Sequence, residues 1–434
     1  MERPLEYSIT CETKDPQGKI LGPNEGKARL DERTLTFQPT LGKGKEIPYF
    51  EVMEIKDEDY KITLKLGLGE EVTMTQLGYE YENFLKNLYR LRGELLLRYM
   101  LMNEGCIATN IDANYQYVDP SGRRQKGACE ARVYESAVVV LPEKADPIRI
   151  PLCYLRSSLR EEYTYSLSAD VGEVLTLSQM GEKTDFFDRS LSKALAGVET
   201  RSQEFLSALR LGVDPAVVRR AAMLLGDGKA ASGEEIQTIS IQLWKGLEEK
   251  LRLVGIGDEY DYLKKLSNPG KIKIGIKRGL MGDRTGEYVW FMAPIYSSDP
   301  SQPGNAVVLE AASNEASGRA TYIFRIMDRR DYRTGVPKAQ LEDIVGSFLH
   351  LVNRCLIEIN FRREPIYLTE ESLMEPEYER YLYAAKRLAG LRILRDNFIG
   401  RVAHSSPEKW RSEISSLLKF NAESVNNSEK WERQ

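Results

Sequence analysis

With 434 residues, 42% of them apolar and 29% charged, the chain can bury several cores and is long enough for roughly three domains. A net charge of −4 disfavours nucleic-acid binding by the molecule as a whole and leaves only a local basic patch for that role. No apolar run reaches the ~18 residues of a membrane span, because Arg92, Glu94 and Arg98 break the best stretch at 91–102.

Taken in chain order, MERPLEYSITCETKD lacks the apolar core of a secretory signal. ARLDERTLTFQP (28–39) reads as two short strands around a turn at Asp31–Arg33, with Leu35 and Phe37 alternating against Thr34, Thr36 and Gln38. KGKEIPYFEVMEI opens another strand. Its Pro48 cannot donate to a ladder, so it belongs at an edge or among a strand's first residues. YKITLKL and EEVTMTQ are spaced as antiparallel neighbours joined by Gly67-Leu68-Gly69. Gly78 ends the sheet. The next stretch has apolar residues at 84, 85, 88, 91, 95, 96 and 99, one face of a helix.

The same grammar returns 103 residues later. GEEVTMTQLG at 69–78 reappears as GEVLTLSQMG at 172–181, and residues 28–92 match 131–195 at 16 positions without a gap. A period this long indicates a duplicated domain and not a solenoid. Phe84 and Phe187 hold the same place at the start of the closing helix and are expected to plug their sheets. Thr184 or Asp185 is expected to cap the second helix.

Each copy is thus a run of antiparallel strands closed by one long helix. The motifs ARLDERTLTF, EIPYFEVMEI and ENFLKNL, with their counterparts at 131–140, 149–158 and 185–191, resemble the pleckstrin-homology-like superfold, especially its GRAM and bacterial branches. The resemblance covers roughly residues 5–200. It implies a fold that hosts phosphoinositide binders, peptide binders and scaffolds alike.

Residues 198–266 read as helical, with Asp214 and Pro215 as an N-terminal signal and Gly212 and Gly226 as stops. Strand patterns return in KIKIGIK, GEYVWFMAPIY, NAVVLEAAS and ATYIFRIM. A broad-faced helix over 341–360 and an Arg- and Lys-rich helical tail from 376 to 420 follow. The expected organisation is α+β and multidomain. PH-like domains occupy 1–104 and 105–200, a helical segment 201–266, a third sheet-plus-helix module 267–365, and a helical tail 366–434. The third module is open to being a divergent PH-like unit.

Chemistry is sparse. His350 lies on an apolar helix and reads as a core or boundary residue, and His404 in VAHSSPEKW reads as a surface residue. Neither shares a local pattern with an acid, cysteine or glycine-flanked serine, so no catalytic, metal or cofactor site is assigned. GPNEGKA (22–28) has one residue too few between its glycines for a phosphate-binding loop, and Ala28 replaces the hydroxyl residue. Five cysteines, odd in number and without C-x-x-C spacing, fit reduced thiols and a cytoplasmic location. In the second copy, SGRRQKG (121–127) places Arg123, Arg124 and Lys126 in an early loop. With Lys144 and Arg149 they form a candidate anion site. Along 378–401 no single basic stripe forms. Three readings result. The first is a non-catalytic scaffold that binds a protein partner. The second is peripheral attachment to an anionic lipid surface at the inner face of the membrane. The third is an enzyme with an unrecognised site in 267–365. Nucleic acid is disfavoured as a partner.

Overall fold

The computed structural model describes residues 5–67, 69–100, 104–209, 211–278, 287–299, 302, 304–312 and 319–424. The first sheet is built from β1 (Leu5–Lys14), β2 (Ile20–Leu30), β3 (Thr34–Pro39), β4 (Lys45–Pro48), β5 (Val52–Glu58), β6 (Lys61–Leu66) and β7 (Glu71–Thr75), and α1 (Tyr81–Tyr99) follows. Its order is β4-β3-β2-β1-β7-β6-β5. The second comprises β8 (Cys106–Val118), β9 (Arg124–Tyr134), β10 (Ala137–Pro142), β11 (Ile148–Pro151), β12 (Leu155–Glu161), β13 (Thr164–Ala169) and β14 (Val174–Ser178), then α2 (Thr184–Ala208). Its order, β11-β10-β9-β8-β14-β13-β12, is the same. Two curled antiparallel sheets of this order, each followed by a helix, fit the PH-like fold. Pro48 stands at the end of the edge strand β4, where its missing donor costs nothing.

The repeated decapeptide has a backbone cause. Gly69 and Gly172 turn the last hairpin at φ +87° and +91°. Gln76 and Gln179 then take left-handed φ of 63° and 59°, and Gly78 and Gly181 take 53° and 56°. Two left-handed residues in each copy, Gln76 and Gly78 or Gln179 and Gly181, let the chain leave the sheet and enter the helix within a few steps. The Gln76 side chain accepts from Thr10 and that of Gln179 from Asn114, each tying the exit to the sheet's first strand. A 3-10 turn (78–80, 181–183) leads into each helix. Lys183 occupies the N-cap without a side-chain bond, so neither Thr184 nor Asp185 caps α2.

Phe84 and Phe187 are fully buried, each with a tyrosine ring edge-on at 5.0 and 5.2 Å. The duplication also extends further back than the spacing of 103 reveals. Asp15-Pro16-Gln17-Gly18-Lys19 and Asp119-Pro120-Ser121-Gly122-Arg123 make the same turn, the aspartate accepting from the amides two and four residues on. Their spacing is 104, because β2 carries one extra residue where the β1–β2 register shifts.

Downstream come α3 (Pro215–Leu225), β15 (Ala230–Ser232), α4 (Gly233–Ile239), α5 (Ile241–Leu253) and α6 (Gly257–Leu266). Then follow β16 (Lys273–Arg278), β17 (Glu287–Ile295), β18 (Ala306–Ala312), β19 (Ala320–Arg325), α7 (Arg329–Arg333), α8 (Lys338–Glu358), α9 (Glu364–Tyr367), α10 (Glu370–Leu373), α11 (Glu379–Arg387), α12 (Ala389–Asp396), β20 (Phe398–Ala403) and α13 (Pro407–Glu423). The third sheet runs β15-β16-β17-β18-β19-β20 in simple succession, so it is not a third PH-like sheet. It takes β15 from the segment expected to be wholly helical and β20 from the expected helical tail. The boundary expected at 200/201 falls inside α2. One face of this sheet packs on α8 and the short helices after it, the other on α3, α5, α6 and α13. Both faces are covered, so β18 and β19 are buried at every residue and are apolar apart from Glu310, Thr321 and Arg325.

Leu96, Leu97 and Met100 at the end of α1 pack against Val139 and Tyr134 of the second copy, with Tyr383 closing the contact. Glu199 and Thr200 stand at the equivalent places in α2 and are exposed. The contact between the copies is therefore not repeated outward.

Candidate functional site

Titratable side chains converge at four places. The first is a cleft of about 1100 Å3 between the two seven-stranded sheets. Arg123, Lys126, Lys144 and Arg149 line it, and Arg124 does not. Arg124 and Lys126 belong to strand β9 and not to the preceding loop. Arg149 is buried. It donates to Glu104 Oε1 at 2.9 Å and to the Ile357 carbonyl at 2.9 Å, so its guanidinium is already engaged. Burial works against the Glu104 carboxylate, but Arg149 overcomes it and holds the pKa below the usual value. Lys144 pairs with Glu82 at 3.2 Å and Asp57 at 3.5 Å. Arg123, Arg124 and Lys126 are exposed and have no ion pair among the described residues. Glu54, Glu70, Glu71, Glu173 and Glu358 face the same cleft.

The second place is a set of buried ionic contacts between units. Arg92, at 1% exposure, donates to the Val52 carbonyl at 2.8 Å and to Asp146, which also receives Arg387 at 3.2 Å. Arg354 on α8 reaches across to the second sheet, with Asp170 at 2.7 Å and Glu173 at 2.8 Å. His350, one turn earlier, contacts Asp170 at 3.2 Å and lies edge-on to Tyr154. Burial lowers the His350 pKa, Asp170 opposes this, and Arg354 adds to the lowering. Beneath them Asn353 accepts from Trp290 at 3.2 Å and donates to the Gly228 carbonyl at 3.0 Å and to the Tyr154 hydroxyl. One amide thus joins α8, β17, the turn before β15 and the second sheet. Local spacing could not reveal these partners, since they come from sequence-distant segments.

The third place lies in the module where an enzymatic site could hide. Thr321 Oγ1 is 3.2 Å from His404 Nε2, and His404 Nδ1 is 3.5 Å from Glu259. This is a hydroxyl–imidazole–carboxylate array. Thr321, however, is fully buried. Its hydroxyl donates to Glu310 at 2.5 Å and accepts from Trp410 Nε1 at 2.8 Å, so it has no free approach for an acyl group. His404 is not the expected surface residue: its side chain is 15% exposed and pairs at 3.1 Å with the fully buried Glu310. Burial raises the Glu310 pKa. For His404, burial opposes and Glu310 and Glu259 prevail, raising it.

The fourth place is a cleft of about 1140 Å3 on the first copy, between the β2–β3 turn, β4, α1 and the segment at 376–379. Leu5, Phe50 and Leu91 give it apolar walls, and Arg29, Arg33 and Arg90 line it. Glu379 reaches in and accepts from Arg33 at 2.8 Å and from the Tyr99 hydroxyl at 2.5 Å.

Among the described residues no group of His, Cys, Asp and Glu has the arrangement of a metal site. No helix among them is long and apolar enough to cross a membrane. No family model matches the chain, and no curated protein matches it. Among solved structures it is similar to a chain of the Spt16D Pob3N heterodimer. Identity is 10%, over 39% of this chain and 85% of that one, with a TM-score of 0.18. A likeness so slight has no bearing on function.

Proposed function

We propose that this chain is a non-catalytic binding platform in which two PH-like units, akin to the GRAM and bacterial branches, are held by a third helix-sandwiched sheet and offered to a protein partner. One observation carries the reading: the buried charges lock units to one another. Arg92, Arg149 and Arg354 each bond to a group in a neighbouring unit or segment, and each is too buried to serve a substrate. A fixed geometry between surfaces is what a scaffold requires. In this reading residues 211–424 form one unit, and the protein resides in the cytoplasm.

Attachment to an anionic membrane surface is the second reading. The exposed Arg123 and Lys126 on the rim of the inter-sheet cleft favour it. The five glutamates of that cleft and the engagement of Lys144 and Arg149 weigh against it.

The test pairs two measurements on the full chain: sedimentation with phosphatidylserine-containing vesicles at low salt, and cross-linking of partners in native extract. The platform reading expects no vesicle retention and cross-links on the first two sheets. Retention that R123E/K126E abolishes would replace it with the membrane reading.

A further inference from the structure

We propose that β12, the open edge of the second sheet, pairs antiparallel with β12 of another molecule of this chain, so that two second sheets join across a twofold axis. This goes beyond the platform reading and does not depend on it. An edge strand presents a row of unpaired N–H and C=O groups, and most edges of this fold are blunted. β4 and β11 are four residues long and end in proline, β15 has three residues, and β20 is buried at most positions. β5, the equivalent of β12 in the first sheet, is engaged within the chain: Arg387 donates to the Met53 carbonyl, and Lys144 pairs with Asp57. It also carries an exposed lysine, Lys56. Among the described residues β12 has neither guard. Residues 156–161 are all exposed, and Leu159, 54% exposed, stands 103 residues after Lys56.

The register follows from the residues. A bulge at Arg156 limits regular pairing to residues 157–161. Glu161 and Thr164 close a two-residue hairpin as a hydrogen-bonded pair, so the alternation of the ladder turns the N–H and C=O of Ser158 and Arg160 away from β13. Centring the axis on Leu159 sets Ser158 of each molecule opposite Arg160 of the other, and these outward groups exchange hydrogen bonds. Leu159 then meets its own counterpart, and Ser157 lies opposite Glu161. Arg160 is already tied to Asp185 and Asp188 of α2, so it brings no bare charge to the contact. Centring on Ser158 instead would set Arg156 against Arg160 and leave Leu159 facing Ser157, a poorer match. This self-complementarity favours a second molecule over a foreign strand.

Sedimentation velocity of the full chain across a concentration series tests this. The wild type should pass from monomer to dimer as concentration rises. L159K, which restores the lysine of the first copy, should weaken dimerisation about tenfold or more by setting like charges opposite one another. S158P, which removes an outward N–H that β13 does not use, should also weaken it. Both should leave the melting curve unchanged, and L159K alone serves if S158P impairs folding. In a C106S background, which removes the exposed native thiol, L159C should form a disulfide-linked dimer on mild oxidation. S157C should not, because in this register only position 159 faces itself. A wild type that stays monomeric, a dimer that L159K and S158P leave intact, or equal cross-linking of S157C overturns the inference. Each of these leaves the platform reading to its own test. Cross-links from β12 to a different protein, with the chain itself monomeric, would reassign the edge to a foreign strand.

Discussion

Replacing Arg354 by methionine keeps the aliphatic bulk of α8 and removes the guanidinium. Arg354 is 8% exposed and makes two charge-assisted bonds, 2.7 Å to Asp170 and 2.8 Å to Glu173. After the change Asp170 keeps only His350, and Glu173, at 7% exposure, keeps only the Tyr117 hydroxyl at 3.2 Å. Two carboxylates are then left without their strong counter-charge. Breaking a buried pair from one side costs about 3–5 kcal/mol, a large share of the roughly 5–15 kcal/mol that holds a domain together. The same node joins the second sheet to α8 of the third unit. Trp244, Trp290 and Trp410, three of the chain's four tryptophans, lie in the third unit, so tryptophan fluorescence follows it preferentially, whereas far-ultraviolet dichroism follows every unit. In urea the two signals should change together for the wild type and separate for R354M. Adding E173Q removes one stranded charge, so R354M/E173Q should be more stable than the sum of the single changes implies. A cost under about 1 kcal/mol, or strict additivity of R354M and E173Q, would refute the assignment of this contact as a clamp.

Four further outcomes follow from the structure. Phe84→Ala and Phe187→Ala should each cost about 3–5 kcal/mol in chemical denaturation, because both rings are fully buried plugs; a cost below about 1 kcal/mol for either would contradict that role. Gly78→Ala and Gly181→Ala should each cost about 1–2 kcal/mol through their left-handed backbone, read by thermal melting. His404 and Glu310 both bind protons more tightly folded than unfolded. The His404 contribution should be fully present below the ordinary histidine pKa of 6.5 and that of Glu310 below the ordinary glutamate pKa of 4.5, each declining as pH rises through its raised value, and H404N should flatten the slope above 6.5 in pH-dependent melts. His350 has the opposite sign, its lowered pKa giving a contribution lost as pH falls below 6.5, which H350N should remove.

The duplicated sheets are legible in the chain because local chemistry sets them. The left-handed exits at Gln76 and Gln179 and the plugs Phe84 and Phe187 need particular residue types at fixed spacing. The extra residue in β2 hides the matching turns at Asp15 and Asp119 from any constant offset. Strands β15 and β20 escape notice for a different reason. Ala230–Ser232 is too short to show a period, and Phe398–Ala403, set between helices and interrupted by Gly400, becomes a strand only by pairing with β19. The candidate anion site fares similarly. The cations are visible in the chain, but Asp57, Glu82, Glu104 and the Ile357 carbonyl, which engage Lys144 and Arg149, arrive from elsewhere in the fold.

Small-angle X-ray scattering of the full chain and of R92M/R149M/R354M, with dichroism confirming retained secondary structure, tests most directly whether the buried arginines lock the units together. The wild-type curve should fit this structure as one body, and the triple variant should show a larger radius of gyration as the units part. An unchanged scattering curve in the triple variant would contradict the locking role.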